Sequence, residues 1–200
     1  MDTERTKKQS KRLSWLLRHG ANEAGVSMDA AGWVAVADVL RALRLSRADL
    51  EVVVRENDKR RLELDGDRIR ACQGHSTAGT PVTAEALEAS WTERASDEPL
   101  WHGTASAALA GIARDGILPI TRTHVHLAEE LTSKVGKRAN VEVMLEVDAL
   151  RLRARGVSVF AAPNGVLLAR QVPREAIVDL RPMTRRARGE EAALRALMGL

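Results

Sequence analysis

A short, turn-rich stretch before the middle of the chain divides its 200 residues into two parts. It reads Ser76-Thr-Ala-Gly-Thr-Pro-Val-Thr83, and such small polar residues with Gly and Pro are typical of connections. Residues 78–100 then carry five Asp and Glu against one Arg. The flanking parts are mildly basic, with 15 Lys and Arg against 12 acids before the stretch and 15 against 10 after residue 100. The sequence therefore predicts two lobes. Their expected bounds are 1–77 for the first lobe, 78–99 for a linker, 100–182 for the second lobe and 183–200 for a C-terminal tail.

Composition narrows the class of protein. The single cysteine, Cys72, excludes an internal disulfide and any zinc site built from several cysteines. No apolar run approaches the roughly 18 residues that a membrane span needs, and the polar start MDTERTKKQSKR is unlike a secretory signal. We therefore expect a soluble, cytoplasmic protein. Its basic lobes suit an anionic partner such as a nucleotide or a nucleic acid.

The first lobe is predicted to contain three helices followed by a β-hairpin. Leu13, Leu16 and Leu17 form an i, i+3, i+4 apolar stripe, and Gly20 is expected to end that helix. Ser46 with Asp49 resembles a capping box. The remaining predicted elements are a short β segment from residue 32, a helix over 37–43, a helix from 46, and strands around 62–64 and from 69, joined by a turn at 65–67. This order is the plan of a winged helix.

The second lobe is predicted to be mainly β. The predicted strands cover 100–104, 124–127, 141–147, 157–160, 166–168 and 177–180, and a short helix covers 106–115. Gly116 is expected to cap that helix in the left-handed conformation. His124 and His126 should share one face of their strand because side chains alternate along it. Consecutive strands with few helices predict an antiparallel or mixed sheet, so the fold class is α+β. Leu194, Leu197 and Met198 suggest a helix in the tail, which leaves open whether the tail docks or frays.

Clustered cations are the first chemical feature. They are Arg18-His19, Lys59-Arg60-Arg61 and Lys137-Arg138. A site for a phosphate dianion needs several fixed donors, and Arg supplies a permanent charge with planar, bidentate geometry. The alternative is that each cation is an ordinary solvated surface residue. Spacing along the sequence cannot decide between these interpretations.

Two histidine segments form the second feature, Trp101-His-Gly-Thr104 and His124-Val-His126. A histidine at a strand end beside Gly-Thr could contact a ribose while the glycine backbone approaches a flat ring. A metal site is not expected, since no HExxH-type spacing or cysteine partner is present. A purely structural role for each histidine stays open. Asn164-Gly165 is likewise interpreted either as a site or simply as a hairpin turn.

Together these segments closely resemble the RNA 2′-phosphotransferase family. Any one segment would be weak, but eight in the same order across both lobes are specific. The matching segments are Leu13-Ser-Trp-Leu-Leu-Arg-His19, Gly32-Trp-Val-Ala-Val36, Glu56-Asn-Asp-Lys-Arg-Arg61, Ile69-Arg-Ala-Cys-Gln-Gly-His-Ser76, Leu100-Trp-His-Gly-Thr104, His124-Val-His-Leu127, Val135-Gly-Lys-Arg138 and Asn164-Gly-Val166.

The resemblance implies an N-terminal winged-helix RNA lobe and a C-terminal ADP-ribosyltransferase-like lobe. It implies an essential set at the phosphate, consisting of Arg18, His19, Arg61 and Arg138. It also implies an NAD⁺ site that contains His102, Gly103, Thr104, His126, Asn164, Gly165 and Val166. Val166 stands where protein ADP-ribosyltransferases usually carry a Glu, and Cys72, Trp101, Leu62 and Ala128 are further departures from the family pattern.

The activity implied by the resemblance is NAD⁺-dependent transfer of an internal RNA 2′-phosphate to ADP-ribose, without a metal. It would leave RNA with a free 2′-OH, ADP-ribose 1″,2″-cyclic phosphate and nicotinamide, and tRNA splice junctions are the family's best-known substrate. We expect a monomer that binds RNA and NAD⁺ and does not associate with a membrane. Two alternatives stay open: a mono-ADP-ribosyltransferase acting on nucleic-acid phosphate ends, and a non-enzymatic winged-helix regulator.

Overall fold

The computed structural model describes residues 3–57, 59–131 and 141–200, and the chain folds into two compact units. The first unit comprises residues 1–91 with the short segments 121–123 and 162–164, and the second comprises the remainder. Elements of the first unit are α1 (Thr3–Trp15), a π-helical turn (Leu16–Gly20), β1 (Val34–Ala35), α2 (Val36–Leu43), α3 (Arg47–Arg55), β2 (Leu62–Asp65), β3 (Arg68–Ala71) and α4 (Ala84–Glu88).

The helices of the first unit follow from the apolar spacing of the sequence. Leu13, Leu16 and Leu17 are at most 1% exposed, as their stripe predicts. The helix does not end at a simple cap, because α1 widens into a π turn that runs to Gly20. Ser46 caps α3 as predicted, since its side chain accepts a hydrogen bond from the Asp49 amide at 3.1 Å.

A three-stranded antiparallel sheet in the order β1-β3-β2 completes this core. Val34 pairs with Ile69, and Leu62 pairs with Ala71. The predicted hairpin turn is present, with Gly66 at φ 56°. This arrangement packs the three helices and the hairpin around one cluster of buried aliphatic residues.

The region predicted as a linker contains regular structure. Thr83 caps α4, and Leu87 on that helix is fully buried. The Trp91 indole is also buried and donates a hydrogen bond from Nε1 to the Cys72 carbonyl at 3.1 Å. Residues up to Trp91 therefore pack with the first unit, and Thr92 opens the second.

The second unit consists of two small antiparallel sheets and short helices. Its elements are β4 (Thr92–Glu93), β5 (Leu100–Thr104), a 3₁₀ turn (Ser106–Ala108), α5 (Leu109–Asp115), β6 (Val125–Leu127), β7 (Val143–Val147), α6 (Ala149–Ala154), β8 (Phe160–Ala161), β9 (Leu167–Ala169), a 3₁₀ turn (Arg174–Ala176), β10 (Ile177–Pro182), α7 (Arg185–Gly189) and α8 (Glu191–Met198). One sheet has the order β10-β7-β5 and the other β4-β8-β9-β6. The described residues thus form an α+β fold with eight α-helices, which confirms the fold class at this level.

Several strand boundaries differ from the prediction. Val141 and His124 lie outside β7 and β6, so His126 is in a strand and His124 is not. Val157 and Val159 are buried but precede β8. Alternation of apolar residues reports burial, whereas strand limits depend on which backbone groups find a hydrogen-bonding partner.

Gly116 corrects one predicted cap. Its φ of 75° favours glycine, but its ψ of −169° is extended rather than left-handed helical. The reason is a close backbone approach, since Ile117 bridges Val172 and a Cβ on Gly116 would lie 2.3 Å from the Val172 carbonyl oxygen. Glycine is required here by that contact.

The C-terminal segment docks as a helix rather than fraying. Leu194 and Met198 of α8 belong to the buried core of the second unit, while Leu197 is 48% exposed. Arg195 fixes the helix by donating to the Leu180 carbonyl and pairing with Asp179, both at 2.8 Å. No helix within the described ranges is long and apolar enough to cross a membrane.

Candidate functional site

One face of the first helix lines a cation-rich cavity of 320 Å³ in the first unit. Its residues recur about every four positions along α1 and the π turn, and Arg61 joins them from just before β2. The lining residues are Ser10, Lys11, Ser14, Trp15, Arg18, His19 and Arg61. The π turn, which is wider than an α turn, carries the last two helical members. None of the seven residues is acidic.

Arg18 carries a largely buried charge that no described residue neutralises through an ion pair. Its Nε and Nη2 atoms are buried and have no hydrogen-bond partner among the described residues. Burial, followed by the charges of Arg61 and Arg122, lowers the pKa of Arg18 to about 10. The guanidinium stays charged at neutral pH, and since it forms no ion pair with the described residues, a bound anion would stabilise it.

Hydrogen bonds of the backbone explain why Arg122 acts on Arg18. The Ser76 amide donates to the Arg18 carbonyl at 2.9 Å, which ties the end of the helix to residues 75–77. On the same segment, Ser76 forms an antiparallel bridge with Arg122. Ser76 therefore holds both arginine backbones, although they are far apart in the sequence.

His19 completes the cluster on the solvent side, where it is exposed. Partial burial lowers its pKa below the usual 6.5, and the neighbouring charges of Arg18 and Arg122 lower it as well. The imidazole is consequently neutral at pH 7 in the free protein. Gly79 packs directly on the backbone here, because a Cβ at that position would lie 2.2 Å from the His19 carbonyl oxygen.

Asn57 positions Arg61. Its side-chain oxygen accepts from the Arg61 amide at 3.0 Å, and its Nδ2 donates to Ser10 Oγ at 3.0 Å. Asn57 is only 7% exposed, so these bonds are shielded from water. The structure thus brings together Arg18, His19 and Arg61, three of the four residues that the family resemblance implies.

Arg122 was not among the residues selected from the sequence. It is one of 31 Lys and Arg, and its segment Thr121-Arg-Thr123 carries no distinguishing pattern. The tertiary bridge to Ser76 is what reveals it. Arg138, which the resemblance selected instead, lies outside the described residues, as do Val135, Gly136 and Lys137.

A second polar cluster lies in the second unit, where His102, Gly103 and Thr104 stand on β5 and His126 on β6. His102 Nδ1 lies 3.0 Å from the His126 carbonyl oxygen. A carbonyl oxygen only accepts, so we assign the proton to Nδ1. In the neutral imidazole, Nε2 is then an acceptor suited to a ribose hydroxyl.

Gly103 has a structural reason to be glycine. A Cβ there would lie 2.7 Å from Val141 Cγ2 and 3.2 Å from Met144 Sδ. The space that a side chain at position 103 would occupy is therefore filled by the protein's own side chains. Thr104 is 4% exposed, and its carbonyl accepts from the Glu142 amide at 3.0 Å.

The Asn164-Gly165 segment connects β8 and β9 as a hairpin turn, with Gly165 at φ 78°. Asn164 Nδ2 donates to the Lys59 carbonyl at 3.3 Å, and Val166 is buried at 2% exposure. No group of three or more His, Cys, Asp or Glu among the described residues is arranged to hold a metal ion.

Comparisons with known proteins agree on one family. The profile described as "RNA 2′-phosphotransferase, Tpt1 / KptA family" matches residues 4–171. A protein of Burkholderia lata named "Probable RNA 2′-phosphotransferase" is 41% identical over 180 residues, covering 86% of this chain and 89% of the relative. Relatives with the same name occur in Pseudomonas savastanoi pv. phaseolicola (39%, covering 86% and 93%) and Streptomyces griseus subsp. griseus (38%, covering 86% and 96%). With matches of this extent, the chain belongs to the RNA 2′-phosphotransferase family.

Proposed function

We propose that this protein removes an internal 2′-phosphate from RNA in an NAD⁺-dependent reaction. The observation that carries the proposal is the cavity around Arg18, in which a largely buried guanidinium has two nitrogen atoms without a partner among the described residues. A phosphate dianion bound there would supply those hydrogen bonds and the missing negative charge. Membership of the RNA 2′-phosphotransferase family supports the assignment of this phosphate as the 2′-phosphate of RNA.

The chain's own residues would act through fixed positive charge. Arg18 and Arg61 line the cavity, and the positive charge of Arg122 lies close enough to lower the pKa of both Arg18 and His19. Phosphoryl transfer depends mainly on positioning and on electrostatic stabilisation of phosphoryl oxygens. A preorganised donor is worth roughly 3–4 kcal/mol in comparable sites. His19 would be neutral before the phosphate binds and would gain a proton more readily afterwards.

NAD⁺ would be held in the second unit. His102 fits this role because its Nε2 is an acceptor and the residue is partly exposed. We propose Thr104, His126, Gly165 and Val166 as further members of that site, and assign Gly103 to it through the family resemblance alone. The resemblance also implies Asn164, which belongs to the first unit. NAD⁺ would supply the ribose carbon that accepts the phosphate and nicotinamide as the leaving group.

The proposal also assigns a separate binding role to each of the two lobes. We assign RNA binding to a winged-helix lobe over residues 1–77 and NAD⁺ binding to an ADP-ribosyltransferase-like lobe over residues 100–182. The three helices and hairpin of the first unit support the first assignment. Two small antiparallel sheets with short helices support the second.

A product analysis tests the function. The protein is incubated with NAD⁺ and a short RNA that carries one internal 2′-phosphate, and products are identified by mass spectrometry. We expect nicotinamide, RNA with a free 2′-OH and ADP-ribose 1″,2″-cyclic phosphate. A stable ADP-ribosylated RNA would instead indicate a mono-ADP-ribosyltransferase, and RNA binding without any nicotinamide release would indicate a regulator.

Matched variants test the site. Arg122→Ala and Arg18→Met should each lower turnover by about 100-fold or more, because each removes a positive charge that would stabilise the bound phosphate. Arg41→Ala is the control, since Arg41 is exposed and pairs with Asp38 away from the cavity. Equal activity of the Arg122 and Arg41 variants would remove Arg122 from the proposed site.

A further inference from the structure

Trp15 is a large apolar side chain that the fold leaves half exposed. Its exposure is 45%, whereas Leu13, Leu16 and Leu17 around it on the same helix are at most 1% exposed. The three other tryptophans have structural partners. Trp91 and Trp101 are buried at 8% exposure, and Trp33 lies beneath the guanidinium groups of Arg68 and Arg70, 4.4 and 4.5 Å from its ring.

The position of the indole depends on Gly20. A Cβ on Gly20 would lie 2.4 Å from Cη2 and Cζ3 of Trp15 and 2.8 Å from Cζ2, which no side chain could tolerate without displacement of the ring. The φ angle of Gly20 is not in the left-handed region, so backbone strain does not require glycine there. The need for glycine comes from the ring that rests on it.

The same indole lines the cavity that contains Arg18 and His19. Trp15 and Arg18 are three residues apart in the sequence, and both side chains line this cavity. At 320 Å³, the cavity lies within the size range of small-molecule sites, so it can hold more than an isolated phosphate group. Its lining therefore combines an aromatic surface with fixed cations.

We propose that Trp15 stacks on the base of the nucleotide that carries the 2′-phosphate. This inference rests on the proposed function. In that nucleotide the 2′-oxygen and the base are attached to adjacent ribose carbons, so a phosphate at Arg18 brings the base within reach of another residue that lines the same cavity. Stacking on an aromatic side chain uses the face that every base has, so this contact carries little sequence preference.

The test compares two substrates and three proteins. One RNA carries an ordinary adenine at the 2′-phosphorylated position, and the other carries an abasic ribose there with the same 2′-phosphate. Wild type, Trp15→Ala and Trp15→Phe are measured for equilibrium binding and for KM. Trp15→Ala should weaken binding of the adenine RNA by about 10-fold or more and leave the abasic RNA unchanged, and Trp15→Phe should keep most of the affinity.

Two results would overturn the inference. Equal losses of Trp15→Ala on both RNAs would make Trp15 a structural residue, and no loss on either would place the base elsewhere. A second measurement is independent of folding of the variant: 2-aminopurine at the phosphorylated nucleotide should be quenched when wild type binds, and unchanged fluorescence of the bound RNA contradicts stacking.

Failure of the proposed function gives a different pattern. If Arg18→Met binds the 2′-phosphorylated RNA as tightly as wild type, the anion site itself is misassigned. If Arg18→Met loses binding while Trp15→Ala behaves as wild type on both RNAs, the phosphate site stands and only the stacking inference fails.

Discussion

Replacing Arg18 with methionine should stabilise the free protein while abolishing its phosphate site. Methionine keeps an unbranched side chain of similar reach and removes the buried charge. Lowering the pKa of Arg18 from 12.5 to about 10 means that the charged side chain is less favourable in the folded than in the unfolded protein. At 1.36 kcal/mol for each pKa unit, the cost is about 3 kcal/mol, and it applies at every pH below about 10.

The net gain is smaller than that cost, because the variant also loses some packing and any hydrogen bond of the remaining guanidinium nitrogen. We expect the free energy of unfolding to rise by roughly 1–2 kcal/mol. For a chain of this size the melting temperature should rise by about 2–4 °C per kcal/mol. Thermal and urea unfolding followed by circular dichroism measure both quantities.

Arg70→Met provides a matched control that should lower the free energy of unfolding instead of raising it. Arg70 is buried but compensated, since it pairs with Glu63 at 2.7 Å and donates to Ser90 Oγ at 2.8 Å. Its removal should cost about 2–3 kcal/mol, because Glu63 loses its partner in a partly buried site. Saturating 2′-phosphorylated RNA should raise the melting temperature of wild type and of Arg70→Met but not of Arg18→Met. If Arg18→Met were instead destabilised by more than about 1 kcal/mol, the argument for an uncompensated charge would be refuted.

Three further outcomes follow from the structure. Because the pKa of His19 is lowered in the folded protein, the unfolded chain binds the proton more readily, and the free energy of unfolding should rise with pH until about pH 6.5. In urea unfolding measured across this pH range, His19→Gln should flatten that rise. A His19 pKa at or above 6.5 by NMR titration would contradict this, and Arg122→Ala should raise the NMR value by removing a nearby positive charge. Gly116→Ala should lower the free energy of unfolding by about 2 kcal/mol or more, because the new Cβ would clash with the Val172 carbonyl. Gly111→Ala should raise it by about 0.5–1 kcal/mol, because Gly111 is a residue of α5 whose Cβ would meet no neighbouring atom. Equal effects of the two variants on thermal melting would argue against the close contact at Gly116.

Local sequence predicted the elements of the first unit well and the limits of the second unit less well. Ser46 caps its helix and Gly66 turns the hairpin because both effects act within a few residues. The π turn at Leu16–Gly20 has no such local signature, and it alters how Arg18 and His19 are presented. The Gly116 conformation likewise depends on Val172, a partner distant in sequence.

The sequence by itself determined the α+β class and the family, because these depend on residue types and their order along the chain. The grouping of Arg18, His19 and Arg61 came from the family resemblance and not from their spacing. Only the tertiary structure decided that the Arg18 guanidinium is largely buried, with two nitrogens lacking a partner among the described residues, that Arg122 acts on it, and that Trp15 lines the same cavity. Burial and the sum of nearby charges depend on which segments fold against each other. No local pattern around an arginine or a tryptophan contains that information.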